Sequence, residues 1–154
     1  MNKFLKTISI LVFALFALPA LSADSAVKTG IFNNTAIEGY DTVAYFTHSK
    51  PVKGSDRFTF IWRDAEWRFS NEKNLEMFKQ SPEKYAAQYG GYCAWAMASG
   101  KTASIDPKIW FIENGKLYLN YNKKVQEDWF SDLEADILAA DQKYPEVTDV
   151  RKYQ

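Results

Sequence analysis

Phe58, Phe60 and Trp62 alternate with Arg57, Thr59 and Ile61, a period of two that predicts a β-strand. Asp64-Ala65-Glu66 reads as a turn, and Trp67 and Phe69 resume the alternation. The stretch therefore predicts a β-hairpin with aromatic residues on one face. Ile109 to Ile112 and Lys116 to Leu119 are apolar runs joined through Glu113-Asn114-Gly115. Asn-Gly between two such runs predicts a second, tight hairpin.

Helical patterns fill the remainder. Asp41 is placed to cap a short helix over Thr42 to Phe46, ahead of a polar loop from Thr47 to Ser55. Ser70 precedes a helix over Asn71 to Gln80 that carries Leu75 and Phe78 on one face. Ser81-Pro82 starts another, expected to run to about Gln88, because proline suits the first helical position. Tyr92 to Ser99 reads as a third, closed by Gly100. Lys101 to Ile105 is expected as a strand, with Asp106-Pro107 as a turn. Val125, Trp129, Leu133 and Ile137 recur every four residues. That spacing predicts one amphipathic helix of roughly 18 residues, ended by Pro145. The fold class expected is α+β: a small antiparallel sheet from the two hairpins, packed by short central helices and a long C-terminal amphipathic helix.

The N-terminus follows a different pattern. Lys3 and Lys6 precede an apolar run from Ile8 to Leu18, and small residues around Ala20 to Ala23 follow. That is the layout of a secretory signal peptide over residues 1–23, cleaved after Ala23 or the neighbouring Ser22. The run is too short for a membrane span of about 20 residues, so no stable membrane insertion is expected after cleavage. Export to the periplasm is the location expected. Residues 24–35, poor in apolar side chains, read as a flexible lead-in to one domain over 36–145, with 146–154 as a tail.

The whole chain has 19 basic and 19 acidic residues. Without Lys3 and Lys6 the balance turns slightly acidic, and no basic patch points to nucleic acid. No phosphate-cradling glycine loop or dinucleotide fingerprint is present, and no Ser-His-Asp set can be assembled.

Candidate chemistry converges on Tyr89-Gly90-Gly91-Tyr92-Cys93-Ala94-Trp95, which holds the only cysteine of the chain. An exported lone thiol is buried, paired with another molecule, bound to metal or reactive. Close to a helix start, a thiolate would gain from the backbone N–H groups. Met97 lies four residues on and would share its helical face. His48 is the only histidine. Cys93, His48 and Met97 together are candidate ligands for a soft ion such as copper. Tyr40, Asp41, Tyr45, Gly91, Tyr92 and Trp110 are candidates to line a ligand pocket around the thiol, although aromatic residues pack cores by default. Asp41 and Asp106 also suit purely structural roles at caps and turns.

In these stretches the chain resembles the YHS-domain family, and more narrowly its exported single-domain branch of YHS domain-containing (seleno)proteins. The resemblance rests on Ala36-Ile37-Glu38-Gly39-Tyr40-Asp41-Thr42-Val43-Ala44-Tyr45-Phe46, Trp67-Arg68-Phe69-Ser70, Phe78, Ser81-Pro82-Glu83-Lys84-Tyr85, Tyr89-Gly90-Gly91-Tyr92-Cys93-Ala94, Asp106-Pro107, Trp110 and Gly115-Lys116-Leu117-Tyr118-Leu119-Asn120-Tyr121-Asn122. It implies a YHS-like domain over 36–145. Some relatives carry selenocysteine where Cys93 stands, which implies a position for a polarisable, nucleophilic atom. Other YHS domains belong to heavy-metal proteins and hold soft metals with several cysteines. This chain departs from them: Asp41-Thr42-Val43-Ala44 replaces an Asp-Pro-Val-Cys segment, and Arg68-Phe69-Ser70 replaces Phe-Cys-Ser.

Three functions stay open on these grounds. The chain binds a soft metal ion, copper first, or a small ligand around Cys93. Alternatively it is a thiol redox enzyme with Cys93 as nucleophile. Alternatively it is an interaction module with an inert cysteine.

Overall fold

The computed structural model describes residues 22–154. The expected leader lies outside the described residues apart from Ser22 and Ala23. No helix among the described residues is long and apolar enough to cross a membrane.

The fold is α+β. Two antiparallel hairpins form two separate two-stranded sheets. The first joins β1 (Ser55–Trp62) to β2 (Ala65–Phe69), and the second joins β3 (Trp110–Glu113) to β4 (Lys116–Leu119). The helices are α1 (Thr42–His48), α2 (Glu72–Gln80), α3 (Pro82–Tyr85), α4 (Ala94–Ala98), α5 (Lys123–Ser131) and α6 (Leu133–Val147).

Both hairpin turns have the backbone that a tight two-residue loop demands. Asn114 and Gly115 sit at φ 50° and 73°, as the Asn-Gly pair predicts. In the first hairpin the same conformation falls on Arg63 and Asp64, at φ 49° and 58°. The turn therefore precedes the expected Asp64-Ala65-Glu66, and Ala65 already pairs with Trp62.

Asp41 caps α1 as expected, accepting from the Val43 and Ala44 N–H groups at 3.0 and 3.2 Å. Its other oxygen accepts from the Ser70 N–H, the Ser70 hydroxyl and the Asn74 amide at 2.8, 2.6 and 2.7 Å. This buried carboxylate therefore ties α1 to the junction of β2 and α2. Ser70 is spent on that contact, and the cap of α2 passes to Asn71, whose side chain accepts from the Asn74 N–H.

Three expected elements differ. α3 stops at Tyr85, because Ala86 and Ala87 extend and Ala87 bridges to Leu117 of β4. Lys101 to Ile105 is not a strand: its Ala103 carbonyl accepts the Cys93 N–H, outside any ladder. The single C-terminal helix is two, parted at Asp132, whose φ and ψ of −146° and 53° are not helical. A strict spacing of four drifts off a 3.6-residue turn, and the break lets Trp129 and Ala140 both reach the core. Pro145 lies inside α6 rather than ending it. The final turn is held by Thr148, whose N–H and hydroxyl both donate to the Tyr144 carbonyl.

Residues 24–35, expected as a flexible lead-in, form a strap. Asp24 bridges Thr148, the Ala26 N–H donates to Asp149, and the Lys28 N–H donates to the Gly90 carbonyl. Its Ala26 and Val27 are buried. Their small apolar side chains are too few to make a periodic signal but enough to anchor one extended segment.

The core has two parts. One packs the hairpins, α1 and α2 around Phe69 and Phe78 and includes Val27, Ile37, Cys93 and Ile105. The other packs α4 and the C-terminal helices around Tyr89, Met97, Tyr118 and Trp129.

Candidate functional site

Among the described residues, two segments bend through the left-handed region for three residues in a row. They are Ile37-Glu38-Gly39, at φ 49°, 53° and 78°, and Tyr89-Gly90-Gly91, at φ 55°, 61° and 83°. A β-branched residue at positive φ is a genuine outlier, and Ile37 is also buried. The two turns meet. A Cβ built on Gly91 would lie 2.2 Å from Ile37 Cδ1, so the isoleucine tip occupies the space that glycine leaves open.

Above this meeting point is a cleft of about 260 Å³. Its floor is the buried set Gly91, Ile37 and Ile105, and its rim carries Lys28, Thr29 and Glu38. Ile37 and Ile105 belong to the same packed cluster as Cys93. The strap continues from Lys28 along the rim to Ile31, which is 93% exposed beside Phe32 at 97%.

Cys93 itself is 1% exposed. It forms the N-cap position of α4 with non-helical backbone, φ −57° and ψ 120°. Its Sγ–H is directed at Asn120 Oδ1 at 3.5 Å, and the same oxygen accepts the Trp95 N–H at 3.3 Å. The Trp95 N–H fixes the orientation of the amide, since reversing it would set donor against donor. Asn120 is fully buried and its Nδ2 has no hydrogen-bond partner among the described residues. The thiol thus meets a neutral acceptor, with no base bonded to it.

The expected metal ligands are not brought together. His48 is exposed at the end of α1 and hydrogen-bonded to Thr47. Met97 is buried in the second core cluster, whereas Cys93 lies in the first. The Met97 N–H donates to the Cys93 carbonyl at 2.9 Å, yet the two side chains pack into different clusters. Among the described residues no three His, Cys, Asp or Glu side chains converge as a metal site. These residues do not fit copper as a set.

Of the expected pocket residues, Gly91 lines the cleft. The others serve the core around it. Tyr45 is buried, donates its hydroxyl to the Pro107 carbonyl at 2.7 Å and meets Trp110 edge-on at 5.3 Å. Burial, reinforced by nearby Tyr40 and the acids Asp106 and Asp41, raises the Tyr45 hydroxyl well above its ordinary range. Tyr92 donates to the Ser25 carbonyl at 3.1 Å and so holds the strap. Asp41 is occupied as a cap, and Tyr40 lies under Lys53, 4.3 Å from its ring centre. Ile37, Ile105 and the strap residues are not among the expected site residues. The signal available was Gly39 and Gly91 closing two separate motifs, without any indication that the motifs touch.

No family model, curated protein or solved structure matches this chain.

Proposed function

We propose that this chain is an exported, YHS-like binding domain that takes a small ligand in the cleft above Ile37, Gly91 and Ile105. Cys93 is buried in the same packed cluster as Ile37 and Ile105 and is not a nucleophile. The observation that carries this reading is Ile37. Backbone strain of about 1–3 kcal/mol persists only where surrounding structure over-determines it, and such strain gathers at ligand sites. Here it places a branched side chain on a glycine and closes an apolar floor beneath a polar rim. The ligand that fits has an apolar body for Ile37 and Ile105 and an acidic or polar head for Lys28.

The test uses anilinonaphthalene sulfonate, an apolar dye with an anionic head, on the folded full chain. Saturable binding at one dye per chain is expected, abolished in Ile105→Trp, where the larger ring fills the cleft. Binding that ignores Ile105→Trp, or no binding, removes the cleft as the site. Anaerobic Cu(I) protecting Cys93 from alkylation, with protection lost in His48→Ala or Met97→Leu, would replace this reading with a soft-metal site.

A further inference from the structure

The Tyr89-Gly90-Gly91 turn has a second side. Gly91 faces the cleft already described, whereas Tyr89 and Gly90 line a different one of about 250 Å³. This second cleft is walled by Trp62 and Tyr144 and carries three charged groups, Arg63, Glu83 and Asp141. We propose that it binds a small amino acid, with a dibasic one such as lysine preferred, by its carboxylate at Arg63 and its ammonium groups at Asp141 and Glu83.

The charges are arranged for a bridging guest. Arg63 forms no ion pair with Glu83 or Asp141, although all three line one cleft. Opposite charges in contact near a protein surface attract by up to about 4 kcal/mol. Arg63 and Asp141 are held elsewhere instead, and Glu83 is exposed at the cleft. The left-handed backbone of Arg63 and its stacking over Trp62, 4.3 Å from the ring centre, hold the guanidinium. The Tyr89 hydroxyl donates to Asp141 Oδ1 at 2.9 Å and holds the carboxylate, leaving Oδ2 to accept from a ligand.

A guanidinium fork suits a carboxylate, and a carboxylate suits an ammonium. One cation and two anions in the wall complement one anion and two cations in the guest. Trp62, stacked on Arg63, and Tyr144 wall the cleft beside an aliphatic stem. The volume lies below the roughly 300 Å³ at which drug-sized sites begin, which selects a small molecule. Burial pushes the Tyr144 hydroxyl up to about 12, with Arg63 pulling against it. Tyr144 is therefore a neutral wall at physiological pH.

The experiment is a ¹H–¹⁵N NMR titration of the full chain with L-lysine, lysine methyl ester and L-glutamate. Lysine is expected to saturate, with shifts gathered at Trp62, Arg63 and Tyr89. The ester lacks the carboxylate and glutamate repels Asp141, so each is expected to bind about tenfold more weakly or worse. Arg63→Gln should weaken lysine about tenfold and leave the ester unchanged. Asp141→Asn, which keeps an acceptor for Tyr89, should weaken both. Equal binding of lysine and its ester, shifts located elsewhere, or no shift with lysine would each overturn the proposal. The comparison of lysine with its ester needs no variant, so it stands if Arg63→Gln fails to fold.

Discussion

Gly90→Ala and Gly115→Ala form a matched pair. Both glycines are left-handed, at φ 61° and 73°, so an alanine at either costs the same conformational strain, about 1–2 kcal/mol. Their surroundings differ. A Cβ on Gly115 meets nothing within 4 Å, whereas a Cβ on Gly90 would lie 1.8 Å from the Ala26 carbonyl oxygen. That oxygen is backbone, so the strap must lift. Lifting it exposes Val27, worth about 2 kcal/mol, and loses the Lys28 N–H to Gly90 bond, worth about 1 kcal/mol. Gly90→Ala is thus expected to cost about 4–5 kcal/mol in total, a large part of a typical domain's stability of about 5–15 kcal/mol. Urea unfolding of both variants measures the difference. Equal midpoints would refute the docking of the strap on the glycine turn.

Other outcomes follow from single groups. Asp41→Asn should destabilise by about 3 kcal/mol or more, measured by urea unfolding, because its amide would face the Ser70 and Asn74 donors. Trp129→Phe should cost about 1 kcal/mol less than Trp67→Phe in thermal melts. The Trp67 Nε1–H donates to the Trp62 carbonyl, whereas Trp129 Nε1 is buried without a partner among the described residues. Burial pushes the Tyr92 hydroxyl up to about 12, with Asp24 and Asp149 adding to it, and Tyr144 behaves alike. Unfolded tyrosine ionises near 10, so these groups stabilise the fold fully below about pH 10. That contribution falls as pH rises from there toward 12. A pH titration following phenolate absorbance and far-ultraviolet circular dichroism together should show the loss of structure beginning above pH 10.

The fold was legible wherever a local rule decided it. Asn114-Gly115 named its own turn, Asp41 its own cap, and the alternation of Phe58, Phe60 and Trp62 its own strand. What escaped depends on partners distant in sequence. Ser70 looks like a cap until Asp41 takes it. Ala86 and Ala87 look helical until Leu117 offers a strand edge. Asp24 to Lys28 look loose until the end of α6, Asp149 and Gly90 supply their hydrogen-bond partners. The site was legible only as a neighbourhood: the two motifs that meet were both singled out, but their contact through Ile37 and Gly91 is a property of the packed chain. The metal set is not assembled, because Cys93 and Met97 pack into different core clusters and His48 is exposed at the end of α1.

The most direct test of the central claim is the alkylation rate of Cys93 in the folded full chain at neutral pH. It is measured alone, with anilinonaphthalene sulfonate and with Cu(I). With the thiol buried in the cluster that holds Ile37 and Ile105 of the cleft floor, labelling should be slow, slower still with the dye, unchanged by copper, and fast only in denaturant. Fast labelling of the folded chain would make Cys93 an accessible reactive thiol and contradict the account.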